Sequence, residues 1–478
     1  MNLREKTIQG VFWSAIQNWG SQGISLVIFL ILARLLAPQA WGLIAMANLI
    51  IDFLQLFLSE NFRQTLIQKQ TINVKEINTV FWTQIFLGFL FTFIIFISAG
   101  IIATFFRQPQ LKLILQIFSF LFIISAFSQT QIALLHREFA FKTLALRSLL
   151  AIILSGIVGI ICAFTNYGLW SLVAQQLTYE IVALIVLWKS SDWQPQWQFS
   201  FNYLCKILSF SSKVLGYELI DFFNQRTDQL LIGYFLGEVA LGSYAIAHRI
   251  LQVMTQLLIG SLNNVTFSIF SHLQEDKESF INAFYRATQF TCLMALPAFC
   301  ATIILSEELI ITLFTEKWLN AIPILKILGF TGILRSISFV QATALVAMGK
   351  PSYQLKISLI NTILNIMLCV IALHWGVMAV ALAYVISDYL VFPLSQWLLR
   401  KLISFSWKEY LWQFIPSLIC TVIMALMILL CKNILLDDFN YQIILVISSV
   451  VGVVTYSLGL LILFPLLSSS LLKMVKEL

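Results

Sequence analysis

Long apolar runs, each closed by a short polar break, divide this chain from one end to the other. They fall at about 11–36, 39–59, 79–106, 111–135, 144–165, 167–188, 210–236, 239–269, 286–313, 320–348, 355–374, 376–399, 411–431 and 441–466. A helix of ~20 residues, rising ~1.5 Å per residue, crosses the ~30 Å hydrocarbon core of a bilayer. The pattern therefore predicts an all-α integral membrane protein with about fourteen transmembrane helices. Strands of a membrane barrel alternate polar and apolar residues, and these runs do not. No connection is long. The largest, about 189–209, is polar and carries Trp193, Pro195 and Trp197. Its segment 197–208 is expected to lie as an amphipathic helix on the inner surface.

Composition narrows the class further. Of 478 residues, 60% are hydrophobic and 11% charged, against about 25% charged in soluble domains. That excludes a water-soluble enzyme, and the hydrophobicity excludes a disordered chain. The formal charge of +7 follows from 29 basic and 22 acidic residues. With the N-terminus inside, twenty Lys and Arg fall on cytoplasmic ends and loops, and five fall opposite: Arg34, Arg107, Lys112, Lys317 and Lys432. Arg226, Arg249, Lys326 and Arg335 lie inside spans. The positive-inside rule then places both termini in the cytoplasm and accounts for most of the net charge, so nucleic acid is not an expected partner. The start, MNLREKTIQG, has no small-residue cleavage site after it and is expected to be a tail leading into a retained helix. Seven scattered cysteines without a CxxC pair, and four histidines without ligand spacing, predict neither a disulfide framework nor a metal site. No cofactor is expected. No Walker A motif is present to power transport with ATP.

The chain repeats itself. ARLLAPQAWGLIAMA (33–47) aligns with GYFLGEVALGSYAIA (233–247) at an offset of 200, which pairs Gly42 with Gly242. Asn18, Ser21 and Ser25 align with Glu218, Asp221 and Gln225, and Asn48, Asp52 and Gln55 with His248, Gln252 and Thr255. Steps of three and four put each set on one helical face. At an offset of 208, NYGLWSLV (166–173) aligns with HWGVMAVA (374–381), pairing Gly168 with Gly376 and Glu180 with Asp388. Such repeats predict two pseudo-symmetric six-helix lobes, 1–206 and 207–402, and two additional helices in 403–478.

The residues FLILARLLAPQAWGLIAMANLIIDFLQLF (29–57) and SFSSKVLGYELIDFFNQRTDQLLIGYFLGEVALGSYAIAHRI (209–250) resemble the bacterial polysaccharide transporters, the Wzx-type flippases. EKWLNAIPILKILG (316–329) and ALVAMGKPSYQLKI (344–357) continue the resemblance, which covers most of residues 1–400. That family belongs to the MOP superfamily, with the multidrug (MATE) exporters and the lipid II flippases. The resemblance implies alternating-access export of undecaprenyl-pyrophosphate-linked oligosaccharide units across the inner membrane for O-antigen, capsule or exopolysaccharide synthesis. It further implies membrane lipids around the chain and polysaccharide polymerases as candidate partners.

Ionisable residues inside spans are expensive and mark candidate sites. Arg226 and Arg249 sit 11 residues before and 12 residues after the turn at Gly237, hence at similar depth, with Asp228 close to that level. Guanidinium matches phosphate oxygens bidentately, so Arg226, Arg249 and Arg335, with Asn18 and Asp228, are the expected lining of a cavity for a pyrophosphate. The alternative is an Asp228–Arg249 pair that only ties helices together. Lys326 lies nine residues before Arg335 and faces the other way. Arg34 reads as an interfacial anchor, and Trp41, Trp170, Trp318 and Trp375 as an interfacial belt. Glu180, Asp388, Asp52, Glu218 and Asp221 are the candidates for coupling to H⁺ or Na⁺.

Three functions compete. A flippase fits two lobes and buried arginines. A MATE-like exporter of organic cations, driven by H⁺ or Na⁺, would use the intramembrane carboxylates. A membrane enzyme would need a sizeable outer loop with catalytic groups, and the loops here are short, so no enzymatic activity and no catalytic residue are expected. The charge tally makes one outcome testable. A reporter that fluoresces only in the cytoplasm should light up when fused after Lys401 and stay dark after Lys317; the opposite pattern would reverse the orientation.

Overall fold

Hydrocarbon offers no hydrogen-bond partner, so a chain crossing it must satisfy every backbone group internally, and the helix does so within one segment. The computed structural model describes residues 3–58, 66, 72–435 and 439–465; side chains are described within these ranges except at 3–11, 15, 208–214, 217, 261, 263 and 264. Arg63, Lys69, Lys473 and Lys476 of the charge tally lie outside the described residues. Every described element is a helix, and twelve segments are long and apolar enough to cross a membrane. One of these, Glu218–Gly260, has 43 residues, about 65 Å of helix or two bilayer widths. It bends at Gly237, where φ is 84°, and so makes two passages. The 18-residue helix Pro38–Gln55 adds another. The chain is a multi-pass membrane protein.

Contacts divide it into two compact units, Met1–Gly242 and Ser243–Leu478. The first contains α1 (Leu3–Leu35), α2 (Pro38–Gln55), α3 (Val74–Phe105), α4 (Gln110–Phe118), α5 (Phe120–Arg137), α6 (Phe141–Phe164), α7 (Trp170–Ser190) and the first arm of α8 (Phe201–His272). Here α6 packs on α1 and α7, and α3 on α4 and α5. The second unit holds the remaining arm of α8, α9 (Lys277–Ile304), α10 (Ser306–Phe314), α11 (Ala321–Ala347), α12 (Pro351–Ala372), α13 (Val377–Ile403), α14 (Trp407–Trp412), α15 (Ile415–Leu435) and α16 (Tyr441–Leu463). In it α11 packs on α9 and α13, and α15 on α9 and α16. Its aromatic core includes Phe284 stacked on Tyr410, with ring centroids 5.6 Å apart.

Serine and threonine inside spans return their hydroxyls to the preceding turn: Ser336 Oγ to Gly332 O at 2.7 Å and Thr288 Oγ1 to Phe284 O at 2.9 Å. This satisfies the hydroxyl without a partner helix. Outside the spans, Asp276 of the EDKE loop caps α9, accepting from the backbone N–H groups of Glu278 and Ser279. Hydrogen bonds from Ser279 hold its carboxyl below the usual carboxylate range.

The repeat has a physical counterpart inside the first unit. A Cβ on Gly42 would fall 1.8 Å from the Glu238 carbonyl oxygen, and one on Gly242 would fall 2.0 Å from the Pro38 carbonyl oxygen. The contact is reciprocal: each glycine meets the residue four positions before the other, and the two helix starts lie backbone to backbone. Beside this contact Gln108 donates to Glu238, and the rings of Phe105 and Tyr234 stack at 4.4 Å. The other glycine pair, Gly168 and Gly376, turns the chain left-handed at φ 55° and 86° just before α7 and α13, a region that costs glycine little.

Three expectations change. Of the segment 197–208 expected as a helix, residues from Phe201 on are helical and open α8, while 197–200 are not. The stretch before Phe201 is tied to α3 instead: Trp82 Nε1 donates to Gln196 O at 2.9 Å, Gln196 N to Asn78 Oδ1 at 3.1 Å, and Trp197 stacks on Trp82 at 4.1 Å. Trp318 is fully buried rather than interfacial, because it packs in the turn between α10 and α11. Lys432 is not a free loop charge: its Nζ lies 2.7 Å from Glu308 Oε1, and Glu308 is completely buried. The pair joins α15 to α10, while Ser417 Oγ donates to Cys292 O at 2.7 Å and joins α15 to α9.

The glycine contact predicts a steric cost. Gly242→Val must push α2 away from α8, destabilising the protein by about 3 kcal/mol, the upper end for overpacking. Gly23→Val, at a site with open space around it, should be close to neutral. Melting in detergent compares the two; equal melting temperatures would mean that the close approach is not tight.

Candidate functional site

Two of the ionisable clusters within spans hold Asp52 with Arg226 and Asp388 with Arg335, one in each unit. In the first, the last turn of α2 carries Asp52 on the face that meets α8. Arg226 Nη2 donates to Asp52 Oδ2 at 3.4 Å, and Nη1 donates to Gln229 Oε1 at 3.2 Å. The side chains of Arg226 and Asp52 are 33% and 41% exposed. Phe53 flanks the pair and packs against Phe222 at 5.5 Å. One turn earlier on α8, Gln225 Nε2 donates to Asp221 Oδ2 at 2.7 Å. Below on α2, Asn48 Oδ1 accepts from Gln176 Nε2 at 3.2 Å. The Asn48–Asp52 face of α2 thus carries hydrogen bonds to other helices, while Asp221 and Gln225 bond to each other along α8.

A charge pair exposed by a third or more within apolar spans is costly against lipid and is favoured where water reaches it. The guanidinium offers five N–H donors, and the two partners take one nitrogen each.

In the second unit, Arg335 of α11 donates through Nε to Asp388 Oδ2 of α13 at 3.3 Å. Asp388 Oδ1 accepts from Asn361 Nδ2 of α12 at 2.9 Å. Arg335 donates as well to the Tyr384 hydroxyl, and its guanidinium carbon lies 4.9 Å from the centre of that ring. Asp388 is 9% exposed and Arg335 32%. A polar ladder continues two turns further along the same two helices: Gln341 Oε1 accepts from Ser395 Oγ at 2.8 Å and from Gln396 Nε2 at 3.0 Å.

The remaining candidates are placed as follows. Glu180 of α7 is half-buried and feels the charge of Arg147 on α6, whose Nε donates to Ala183 O at 3.2 Å. Asp228 is fully buried, and Glu218 is half-buried. Arg249 is exposed, as are Asn18, Lys326 and Arg34. His248 is buried beside the Tyr244 ring. Arg226 thus meets Asp52, a partner that its position in sequence did not suggest.

Gln229, Tyr384, Asn361 and Arg147 escaped the sequence reading. Gln229 and Tyr384 carry a usable signal, since each is a polar side chain one turn from an intramembrane charge. Asn361 is no i, i+3 or i, i+4 neighbour of a charge on its own helix, and the packing of α12 on α13 brings it to Asp388.

Comparison with known proteins adds to this geometry. A family model described as polysaccharide biosynthesis protein matches residues 31–323. The succinoglycan biosynthesis transport protein ExoT of Rhizobium meliloti is 27% identical over 70% of this chain and 68% of its own. The teichuronic acid biosynthesis protein TuaB of Bacillus subtilis is 24% identical over 99% of both chains. The lipopolysaccharide biosynthesis protein WzxC of Escherichia coli is 24% identical over 86% of this chain and 84% of its own. Among solved structures, the lipid II flippase MurJ in an inward closed conformation superposes with a TM-score of 0.78 at 17% identity, covering 96% of this chain and 99% of that one. An inward-facing MATE transporter reaches 0.64 at 17% identity over 80% and 94%. These likenesses establish the fold.

The second cluster predicts a coupling energy. Asp388→Ala leaves Arg335 and Asn361 each short of one acceptor. Breaking a fully buried pair costs about 3–5 kcal/mol; with Arg335 a third exposed, screening reduces the expectation to about 1–2 kcal/mol. A double-mutant cycle with Arg335→Leu, read by thermal unfolding in detergent, should return a coupling of that size. Strict additivity would show that the two residues do not support one another.

Proposed function

The chain belongs to the polysaccharide biosynthesis protein family, and on that premise we propose that it is a flippase for lipid-linked sugars, with Arg226 as the residue that takes the anionic head group. The substrate in this proposal is an undecaprenyl-pyrophosphate-linked oligosaccharide unit. It moves by alternating access from the inner to the outer leaflet of the inner membrane, and polymerases consume it there. Both termini are cytoplasmic. Residues 1–206 and 207–402 are the duplicated parts, and 403–478 is the addition.

The observation that carries the reading is the half-exposed Arg226–Asp52 pair within apolar spans. A diphosphate offers several oxygens to the guanidinium fork and can replace Asp52 on it. Protonation of Asp52 removes the negative charge that competes for Arg226. Substrate binding and proton uptake then favour one another, so flux through the site depends on pH. In the second unit Arg249 and Arg335 are the corresponding cations. Glu180 and Asp388 are the other coupling candidates, with Glu218 and Asp221 behind them.

The exporter of organic cations recedes on the same evidence. A cationic substrate needs a carboxylate without a basic neighbour, and Asp52, Glu180 and Asp388 each face an arginine.

Arg226→Ala should stop export of the lipid-linked glycan and cause it to accumulate facing the cytoplasm, with membrane levels of the protein unchanged. The expected loss in proteoliposome flux is on the order of 100-fold, about 2.7 kcal/mol. Arg226→Lys should retain a fraction, and Asp52→Asn should flatten the dependence of flux on an imposed pH gradient. Normal export by Arg226→Ala would remove Arg226 from the site. Normal glycolipids together with a new sensitivity to cationic drugs would move the protein to the exporters.

A further inference from the structure

The end of α13 carries a cavity that the transport cycle proposed above does not use. Its volume is 360 Å³, and Trp397, Arg400, Lys401 and Ser404 line it. Sites for small ligands begin at about 300 Å³. Ser404 adopts a left-handed conformation at φ 59° and donates its N–H to Arg400 O at 2.7 Å, so the helix end is closed and a carbonyl that would repel an anion is satisfied. Arg400 Nε donates to Phe405 O at 3.2 Å, and the guanidinium carbon stands 5.7 Å from the Trp407 ring. Lys401 Nζ stands 5.8 Å from the Trp397 ring. Both basic side chains are exposed. Among the described residues no carboxylate is paired with either. Two cations are therefore held by aromatic faces and a backbone carbonyl, and both line the same cavity.

A second feature leads into this space. Leu390, Leu394, Trp397 and Lys401 follow one another at steps of four, three and four, which keeps them within about 60° on a helix. All four are exposed. From Leu390 to Lys401 the helix rises about 16 Å, close to the ~15 Å of hydrocarbon in one leaflet. An apolar track of one leaflet's depth thus ends at a pair of cations beside an interfacial tryptophan. A free anion would use the cations and ignore the track; a phospholipid would use both.

The geometry points to a binding site for the phosphate head group of an anionic membrane phospholipid, seated on Arg400 and Lys401 with an acyl chain along Leu394 and Leu390. The charge tally puts this end of α13 at the inner leaflet, and the site does not depend on what the protein transports.

Native mass spectrometry of the full-length protein, released from membranes and titrated with phosphatidylglycerol, phosphatidylcholine or inorganic phosphate, tests it. The wild type should bind phosphatidylglycerol in preference to phosphatidylcholine. Arg400→Ala with Lys401→Ala should weaken that binding about thirtyfold, which at 1.4 kcal/mol per tenfold is about 2 kcal/mol, or about 1 per basic residue. Arg400→Lys with Lys401→Arg keeps the charge and should keep the lipid, which separates loss of the site from loss of the fold. Leu394→Ser should weaken phosphatidylglycerol and leave inorganic phosphate unchanged. Equal lipid binding by the wild type and the double alanine variant would overturn the proposal. So would displacement of the lipid by excess inorganic phosphate with no effect of Leu394→Ser, since the site would then hold a free anion.

Discussion

A charged side chain in hydrocarbon must find an opposite charge or reach water, and the rest of this molecule is arranged around that requirement. Three solutions occur. Glu308 and Lys432 are shut away together and join α10 to α15. Asp388 is nearly buried and divides its two oxygens between Arg335 and Asn361, which locks α11, α12 and α13 to one another. Asp52 and Arg226 are both well exposed, so water solvates them where lipid could not. The degree of burial separates a structural pair from one that can be opened. A deep pair loses its attraction and leaves a desolvated charge when broken; a wet pair exchanges one partner for another at little cost.

Close packing places the wet pair. Bilayers provide no hydrophobic force between helices, so small residues that allow backbones to approach decide which helices meet. Gly42 and Gly242 do this for α2 and the first arm of α8. With the two helix starts in contact at one end, Asp52 lies ten residues along α2 from Gly42, and Arg226 lies 16 residues before Gly242 on α8. Both belong to the same helix–helix face, and the rings of Phe53 and Phe222 fill the space beside them. The steric contact at the helix ends and the chemistry further along are parts of one interface.

The interfacial ends follow different rules. Near the head groups water is available, and tryptophan can present an apolar body and a donor at once. Trp82, Trp193 and Trp197 tie the segment before α8 to α3, and Trp397 and Trp407 stand beside Arg400 and Lys401. Trp318 shows that position near a helix end is not sufficient, since local packing can bury such a residue.

Local pattern alone determined the number of spans, their helical state and the glycine repeat. Each of these rests on periodicity, on run length or on a backbone angle that few residues tolerate, and all three are written in consecutive residues. The face bearing Asp52 was legible for the same reason, and so was the depth of Arg226. Partner choice was not. Glu180 and Asp388 occupy matched positions in the repeat, yet one faces Arg147 from the adjacent helix and the other faces Arg335 from two helices away. Lys432 counted as a loop charge until α10 brought Glu308 to it. Which charge meets which depends on helix rotation and crossing. Those are settled by side-chain packing between segments far apart in the chain, so only the tertiary structure could decide them.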